Sequence, residues 1–339
     1  MGKIYTALGL MSGTSMDGVD ASIIQTDGKA KYKAILDKYF EYPKNIYKNL
    51  TLLRDKIKST KDLKKYQKQI KSIEKEITIF HNAKEKITKQ LGDGKLLSKL
   101  TKKTVVYEFR QKDLKNGGEG APLAPIFHQL LKKKFNIKQA SFFNIGGILN
   151  KTTIWEDGLL TAKDIGPGMC LIDKWIRTKS KKKYDKNGYI ARSGKVNKKV
   201  LGKFWSIFQS TDPERKSYDV SDFDISFTKG MSLKDGAATL TFYTANLFIS
   251  HFKINSMFKE KFKTILCGGG RKNKFLVNII KSSNKNVKLI DDYGVDGDFV
   301  ESQAFAYLAI RSFLKLPISF PRTTGCRKPC SGGVIAKDI

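Results

Sequence analysis

The chain is poor in the residues that would mark several protein classes. It has 4 Cys, 3 His, 3 Trp and 8 Pro among 339 residues, and its 32 acidic side chains face 64 basic ones. Four cysteines do not make a disulfide framework in a chain this long. Cys326 and Cys330 are spaced as Cys-x-x-x-Cys, but no second pair of ligands lies near them in the sequence, so a zinc site is not the expected reading. His81, His128 and His251 stand far apart and read as structural histidines. No apolar run approaches a membrane span, and the first residues show no signal-peptide pattern, so a cytoplasmic protein without a membrane partner is expected.

The formal charge of +32 invites a nucleic-acid reading. Only nine of the basic residues are Arg, however, and the Lys are spread along the whole length. Specific readers of bases and phosphates lean on Arg for two-pronged contacts. The excess therefore reads as a solvated, Lys-biased surface, and no nucleic acid is expected.

What the chain does have is a set of glycine turns after β-prone runs. The first is Leu8-Gly-Leu-Met-Ser-Gly-Thr-Ser-Met-Asp-Gly-Val-Asp20, an apolar run that stops at glycine, hydroxyl and acid residues and returns at Ala21 to Thr26. Local pattern allows either an ordinary hairpin with capping hydroxyls or an anion-binding nest of N–H groups from Ser12 to Ser15. Asp17 and Asp20 would repel a bare phosphate, so the second reading brings a divalent cation with it. The other two turns are Gly146-Gly147 and Gly268-Gly269-Gly270. Three such turns suggest loops closing on one anionic ligand. Neither a Walker loop nor a dinucleotide fingerprint is present.

The intervening pattern alternates strand, turn and helix, which indicates α/β layers. Residues 1–40 read as strands and 44–90 as helix, with Leu63, Tyr66, Ile70, Ile73, Ile77 and Phe80 on one stripe and a break at Ser59-Thr60. Strands are predicted at 104–109, 140–144, 148–155, 159–163, 263–267 and 287–290. Helices are predicted at 124–135, 169–177, 235–252, 273–281 and 298–314. A boundary near 140, where a second strand-and-turn series begins, divides the chain into 1–139 and 140–339.

Asp164 sits where the 159–163 strand stops, before Gly166-Pro167-Gly168. It is either the cap of the next helix or a carboxylate exposed at a sheet rim, able to accept a proton. Asp173 reads as a helix-surface charge. Arg110 and Asp113 either pair with each other or, with Glu119, contact an anionic or sugar ligand. Glu301 is either buried with a partner or a substrate ligand.

In order, these motifs resemble the anhydro-N-acetylmuramic acid kinases. The matching text is Gly9-Leu-Met-Ser-Gly-Thr-Ser-Met-Asp-Gly-Val-Asp20, Phe109-Arg110-x-x-Asp113, Gly117-Gly-Glu-Gly-Ala-Pro-Leu123, Asn144-Ile-Gly-Gly-Ile148 with Asn150, Asp164-x-Gly-Pro-Gly168, Cys267-Gly-Gly-Gly270 and Glu301-x-x-Ala-Phe-Ala306. The resemblance implies a two-lobed actin/hexokinase/Hsp70-like ATPase fold with RNase H-like lobes. It implies ATP and Mg²⁺ as cofactors and a small amino sugar as substrate; a homodimer is one assembly open to it, and the sequence does not fix the oligomeric state. Water opens the 1,6-anhydro ring while O6 takes the γ-phosphoryl group, and lobe closure excludes bulk water. By position, Gly13, Thr14, Ser15, Met16, Asp17, Gly18, Val19 and Asp20 would hold phosphates, with Asp17 and Asp20 on the metal. Gly146 and Gly147 would close the second phosphate turn, and Gly268, Gly269 and Gly270 would sit near the adenosine. Asp164 would be the base, with Arg110, Asp113, Glu119, Asn144 and Glu301 toward the sugar.

Three departures stand out. Ile165 and Met169 replace the Thr and Asn of the usual Asp-Thr-Gly-Pro-Gly-Asn. The usual Lys-Ser-Thr-Gly-Arg-Glu reads Lys216-Ser-Tyr-Asp219. The apolar strand ending in His-Gly-Gln-Thr has no counterpart, unless Thr78-Ile-Phe-His81 is its tail rather than part of a helix.

Overall fold

The computed structural model describes residues 2–13, 16–56, 60–76, 80–83, 88–91, 93–209, 218–253, 262–284 and 286–337. Two compact units emerge, one formed by Met1–Lys134 with Phe299–Ile339 and the other by Phe135–Asp298. This partition differs from the linear division expected at 139/140, because the last 41 residues pack with the first unit.

The first unit opens with an antiparallel meander of β1 (Tyr5–Met11), β2 (Gly18–Thr26) and β3 (Tyr32–Glu41). The helix Val300–Phe313 packs on β1 and β2. Gly9 makes that approach possible, since a Cβ there would lie 1.9 Å from the Ser302 carbonyl oxygen. Behind β3 come helices Lys44–Lys56, Thr60–Lys65 and Gln67–Glu76, whose Leu50, Leu53, Ile70 and Ile73 enclose Met16. The helical stripe expected to reach residue 90 ends at Glu76. Beyond it, β4 (Phe80–Ala83) and β5 (Thr88–Leu91) form an antiparallel hairpin. Phe80 is aromatic, a residue type that strands favour, and apolar spacing alone does not assign it to a helix. Phe80 and His81 therefore belong to a strand, while Ser59, Ile77, Thr78 and Ile79 lie outside the described residues. β6 (Val105–Tyr107) pairs antiparallel with the strand Val334–Ala336.

The second unit holds a five-stranded sheet. A meander of β7 (Gln139–Ile145), β8 (Ile148–Ile154) and β9 (Leu160–Pro167) is extended on the other side of β7 by β10 (Phe262–Cys267) and β11 (Val287–Leu289). β8 is antiparallel to both neighbours, and β10 and β11 run parallel to β7. Counted within the unit, the order is 3-2-1-4-5 with the second strand reversed, which is the RNase H-like arrangement. Helices Cys170–Lys179, Leu233–Lys253 and Lys274–Ser283 flank the sheet; the last is capped by Asn273, whose side chain accepts from Leu276 N. Phe143, Leu149, Trp175, Leu240, Phe248 and Leu266 fill the core.

Candidate functional site

In the second unit, strand register assembles the site. Cys267 pairs with Asn144, Asn144 with Asn150, and Asn150 with Asp164. These four positions form one rank across β10, β7, β8 and β9. β7 and β10 both end there in glycine turns, and the carboxyl ends of parallel strands are where α/β sheets bind ligands. Gly268 has φ +77°, and a Cβ on it would meet Asn144 Oδ1 at 2.2 Å; one on Gly270 would meet Ile145 Cγ2 at 2.3 Å. The Gly268–Gly270 turn is therefore pressed against the end of β7. Gly269 is exposed with nothing within 4 Å of its would-be Cβ, so the turn's outer side is open to a ligand.

Asp164 is not at a strand end. β9 continues through Pro167, with a register shift opposite Leu149/Asn150 that turns the chain at this point. Nor is it a helix cap, since the helix Cys170–Lys179 begins at Met169 without a side-chain cap. Its Oδ2 accepts the Tyr218 N–H at 2.8 Å. The donor comes from the stretch that departs from the family pattern; Lys216 and Ser217 lie outside the described residues. Ile165 is buried in the core cluster and Met169 packs against it, so the two altered positions beside Asp164 have become apolar packing. Gly168 N donates to Gly147 O at 2.9 Å and Met169 N to Gly146 O at 2.8 Å, which locks the Gly-Pro-Gly turn onto Gly146-Gly147.

Two charged groups here differ from the sequence reading. Asp173 is no surface charge: its Oδ1 is buried without a hydrogen-bond partner, and burial pushes its carboxyl up to about 6, against the pull of Arg177. Arg271, which sequence reasoning missed, follows the third glycine turn directly. Its Nε and Nη2 donate to Asp291 at 2.7 and 3.0 Å, and its Nη1 to Asp298 at 2.8 Å and to Gly268 O at 3.2 Å. Burial opposes the charge on Asp291 and Asp298. Hydrogen bonds from Arg271 to Asp291, and from Lys272 and Arg271 to Asp298, outweigh it and hold both below the usual range. The available signal was a rare Arg beside a glycine turn, with an Asp-rich run downstream.

In the first unit, the opening turn is closed on itself. Met16 N donates to Gly13 O at 3.0 Å, Ser12 Oγ to Gly18 O at 2.9 Å, and Tyr42 N to Asp17 O at 2.8 Å. Met16 takes φ +55° and buries its side chain. Gly18 and Val19 belong to β2, and a Cβ on Gly18 would strike the Phe40 carbonyl oxygen at 2.4 Å. Thr14 and Ser15 lie outside the described residues. Burial, followed by the negative charges of Asp17, Glu41 and Asp20, pushes the Tyr39 phenol up to about 12. Glu41 was not anticipated, although register sets it opposite Gly18. Carboxylate oxygens are hard donors of the kind Mg²⁺ takes, but among the described residues Asp17, Asp20 and Glu41 do not come together as a metal-ligand group.

Asp113 is 1% exposed, and its carboxylate holds the glycine loop: Oδ2 accepts Gly120 N at 2.7 Å and Oδ1 accepts Thr324 Oγ1 at 2.6 Å. A Cβ on Gly118 would lie 2.1 Å from Oδ2. Glu119 is half-buried in that loop, with its N–H on Thr324 O at 2.9 Å. Arg110 is half-buried at the start of the helix Gln111–Lys115. Glu301 is half-buried in the first turn of the helix Val300–Phe313. His128 and His251 are pushed down to about 3 and about 4, chiefly by burial, and are neutral near pH 7. No helix of the described residues is long and apolar enough to cross a membrane.

An RNase H-like unit with glycine turns at its strand ends, joined to a second α/β unit, defines the class. The sequence profile described as anhydro-N-acetylmuramic acid kinase matches residues 5–77 and 58–338. A relative from Pelagibacter ubique, named anhydro-N-acetylmuramic acid kinase, is 50% identical over 376 residues that cover 100% of both chains. A relative of the same name from Agrobacterium fabrum is 35% identical over 375 residues, covering 99% of this chain and 100% of its own. A solved structure, component A of an (R)-2-hydroxyglutaryl-CoA dehydratase from Acidaminococcus fermentans, is 10% identical with a TM-score of 0.43, covering 91% of this chain and 99% of that one. The chain belongs to the anhydro-N-acetylmuramic acid kinase family.

Proposed function

We propose that this chain is an ATP-dependent kinase that couples hydrolytic opening of 1,6-anhydro-N-acetylmuramic acid to phosphorylation at O6, giving N-acetylmuramic acid 6-phosphate. Family membership supports the activity. The observation that carries the assignment of residues is the rank Cys267–Asn144–Asn150–Asp164, which sets a carboxylate in register with two glycine turns.

In this reading Asp164 takes a proton from the water that attacks the anomeric carbon. The bond from that carbon to O6 breaks as O6 accepts the γ-phosphoryl group. The Tyr218 amide steadies one carboxylate oxygen of Asp164. Gly146, Gly147 and the 268–270 turn offer backbone at close approach, which is what phosphoryl transfer needs most. By the family pattern Gly13 to Asp20 would hold phosphates, and Asp17 and Asp20 would hold Mg²⁺, whose role is to neutralise phosphate charge. By the family pattern Arg110, Glu119 and Glu301 in the first unit and Asn144 in the second are assigned to the sugar, and Asp113 acts through the loop that it holds. The enzyme is placed in the cytoplasm, and sedimentation velocity decides between a monomer and a homodimer.

The test is an assay of ADP release with ATP, Mg²⁺ and the anhydro sugar. The wild-type chain is expected to need the sugar. Asp164→Asn is expected to lower kcat by about 10²–10⁴-fold while ATP still binds. ATP turnover that is indifferent to the sugar would overturn the reading.

A further inference from the structure

Two cysteines that form no metal motif in the sequence meet a buried carboxylate in the fold. The ligand atoms of Asp113, Cys326 and Cys330 all lie within 4.8 Å of one another. Among the described residues this is the one group of three or more His, Cys, Asp or Glu so arranged. All four cysteines are free thiols. Ser319 Oγ adds a further oxygen, 3.1 Å from Cys330 Sγ and 4.0 Å from Cys326 Sγ.

Backbone hydrogen bonds fix the segments that carry these donors. Cys330 pairs with Ser319 through Cys330 N to Ser319 O at 3.1 Å, and Ile318 N reaches Cys330 O at 2.9 Å. Arg327 N donates to Asn116 O at 2.9 Å, and Asn116 Nδ2 to Lys328 O at 2.6 Å. Each oxygen of Asp113 accepts one hydrogen bond from a neutral donor and keeps a lone pair. Little chain entropy remains to be lost when a cation draws the donors together.

We propose that Asp113, Cys326 and Cys330 form a binding site for a thiophilic divalent cation of the zinc class, with Ser319 Oγ or water as the fourth ligand. Two sulfur donors and one carboxylate favour Zn²⁺ over Mg²⁺, because thiolates are soft and Zn²⁺ accepts four ligands in a tetrahedron. On binding, both thiol protons pass to solvent, and the ion with two thiolates and a carboxylate carries a net charge of −1. The ion ties the 324–330 segment to the loop bearing Glu119. The site is argued from its donors alone and not from the kinase reading, although Asp113 also holds the loop that bears Glu119.

The full-length chain, stripped with chelator and kept reduced, is titrated with Co²⁺ and then Zn²⁺ in buffer containing Mg²⁺. One equivalent of Co²⁺ is expected to give thiolate-to-cobalt charge-transfer bands that Zn²⁺ abolishes, and Cys330→Ser is expected to lose them. In a second measurement on wild type alone, Zn²⁺ is expected to protect Cys326 and Cys330 from alkylation, mapped by mass spectrometry. Absence of the bands at saturating Co²⁺, their persistence in the double variant Cys326→Ser/Cys330→Ser, or alkylation unaffected by Zn²⁺ overturns the proposal. So does recovery of Cys326 and Cys330 as a disulfide that forms equally well with Zn²⁺ present.

Discussion

The two units begin alike and end differently. Each opens with an antiparallel meander whose first hairpin carries a glycine turn, β1-β2-β3 in one and β7-β8-β9 in the other. In the second unit β10 and β11 extend the sheet beyond β7, so β7 is central and Phe143 is fully buried. In the first unit β1 is an edge strand among the described residues, and its Leu8 is 56% exposed. Phe80 and His81, the candidate tail of the family's apolar strand, lie in the separate β4–β5 hairpin. The alignment with the Pelagibacter relative runs over 376 residues against 339 here, so that relative carries residues this chain lacks. The β1–β2 hairpin is closed by its own hydrogen bonds, Met16 N to Gly13 O and Ser12 Oγ to Gly18 O, with no strand beyond β1 among the described residues.

The largest stability effect should fall where β7 is central. Phe143→Ala removes a buried ring packed against Phe248 and is expected to destabilise the second unit by about 3–5 kcal/mol, read as a drop in its calorimetric transition. A small change would mean that the five-stranded core is less tightly packed than the contrast requires. Next come the glycines where backbone meets backbone. Gly9→Ala in β1 drives a methyl into the Ser302 carbonyl, and Gly270→Ala drives one into Ile145. Each is expected to destabilise its own unit by about 1–3 kcal/mol, while Gly269→Ala leaves stability unchanged. Equal effects at Gly269 and Gly270 would contradict the open outer face of the turn.

Asp173 gives a pH-dependent test within the larger core. Its folded carboxyl titrates at about 6 against a usual value of 3.8. Between those values the native chain holds more protons than the unfolded chain, so this group's contribution falls as pH rises through that window. Asp173→Asn is expected to raise stability above pH 6 by up to ~3 kcal/mol and to change little below pH 4, as measured by melting across pH. A gain that did not depend on pH would assign the effect to packing instead. The smallest effect should be Leu8→Ser on the exposed edge of β1, within about 0.5 kcal/mol. A loss of several kcal/mol would show that the β1 edge is covered, and the contrast between the sheets would fail.

Much of this was legible in advance. The strand, turn and helix order of the second unit followed from apolar periodicity and glycine punctuation, and its predicted elements recur with shifts of a few residues at their ends. The helical stripe through Phe80 misled because apolar spacing alone does not separate a helix from a strand. Asp164 was singled out but placed at a strand end, because a bulge opposite Leu149/Asn150 leaves no local signature. Asp173 looked exposed because the sequence records charge and not burial. Arg271 was passed over because its partners lie 20 and 27 residues further along the chain.

By itself the sequence determined the glycine turns, the acids beside them, the helices and strands between them, and the family. These are properties of near neighbours along the chain, where φ/ψ freedom, propensity and periodicity act. Tertiary structure alone decided the rank of Asn144, Asn150 and Asp164, the pairing of Glu41 opposite Gly18, and the use of Asp113 to hold a loop. It also brought Asp113 to Cys326 and Cys330. Each of these depends on strand register or on packing between segments distant in sequence, and the free energy that selects them is burial and hydrogen bonding across those segments, which local pattern does not encode.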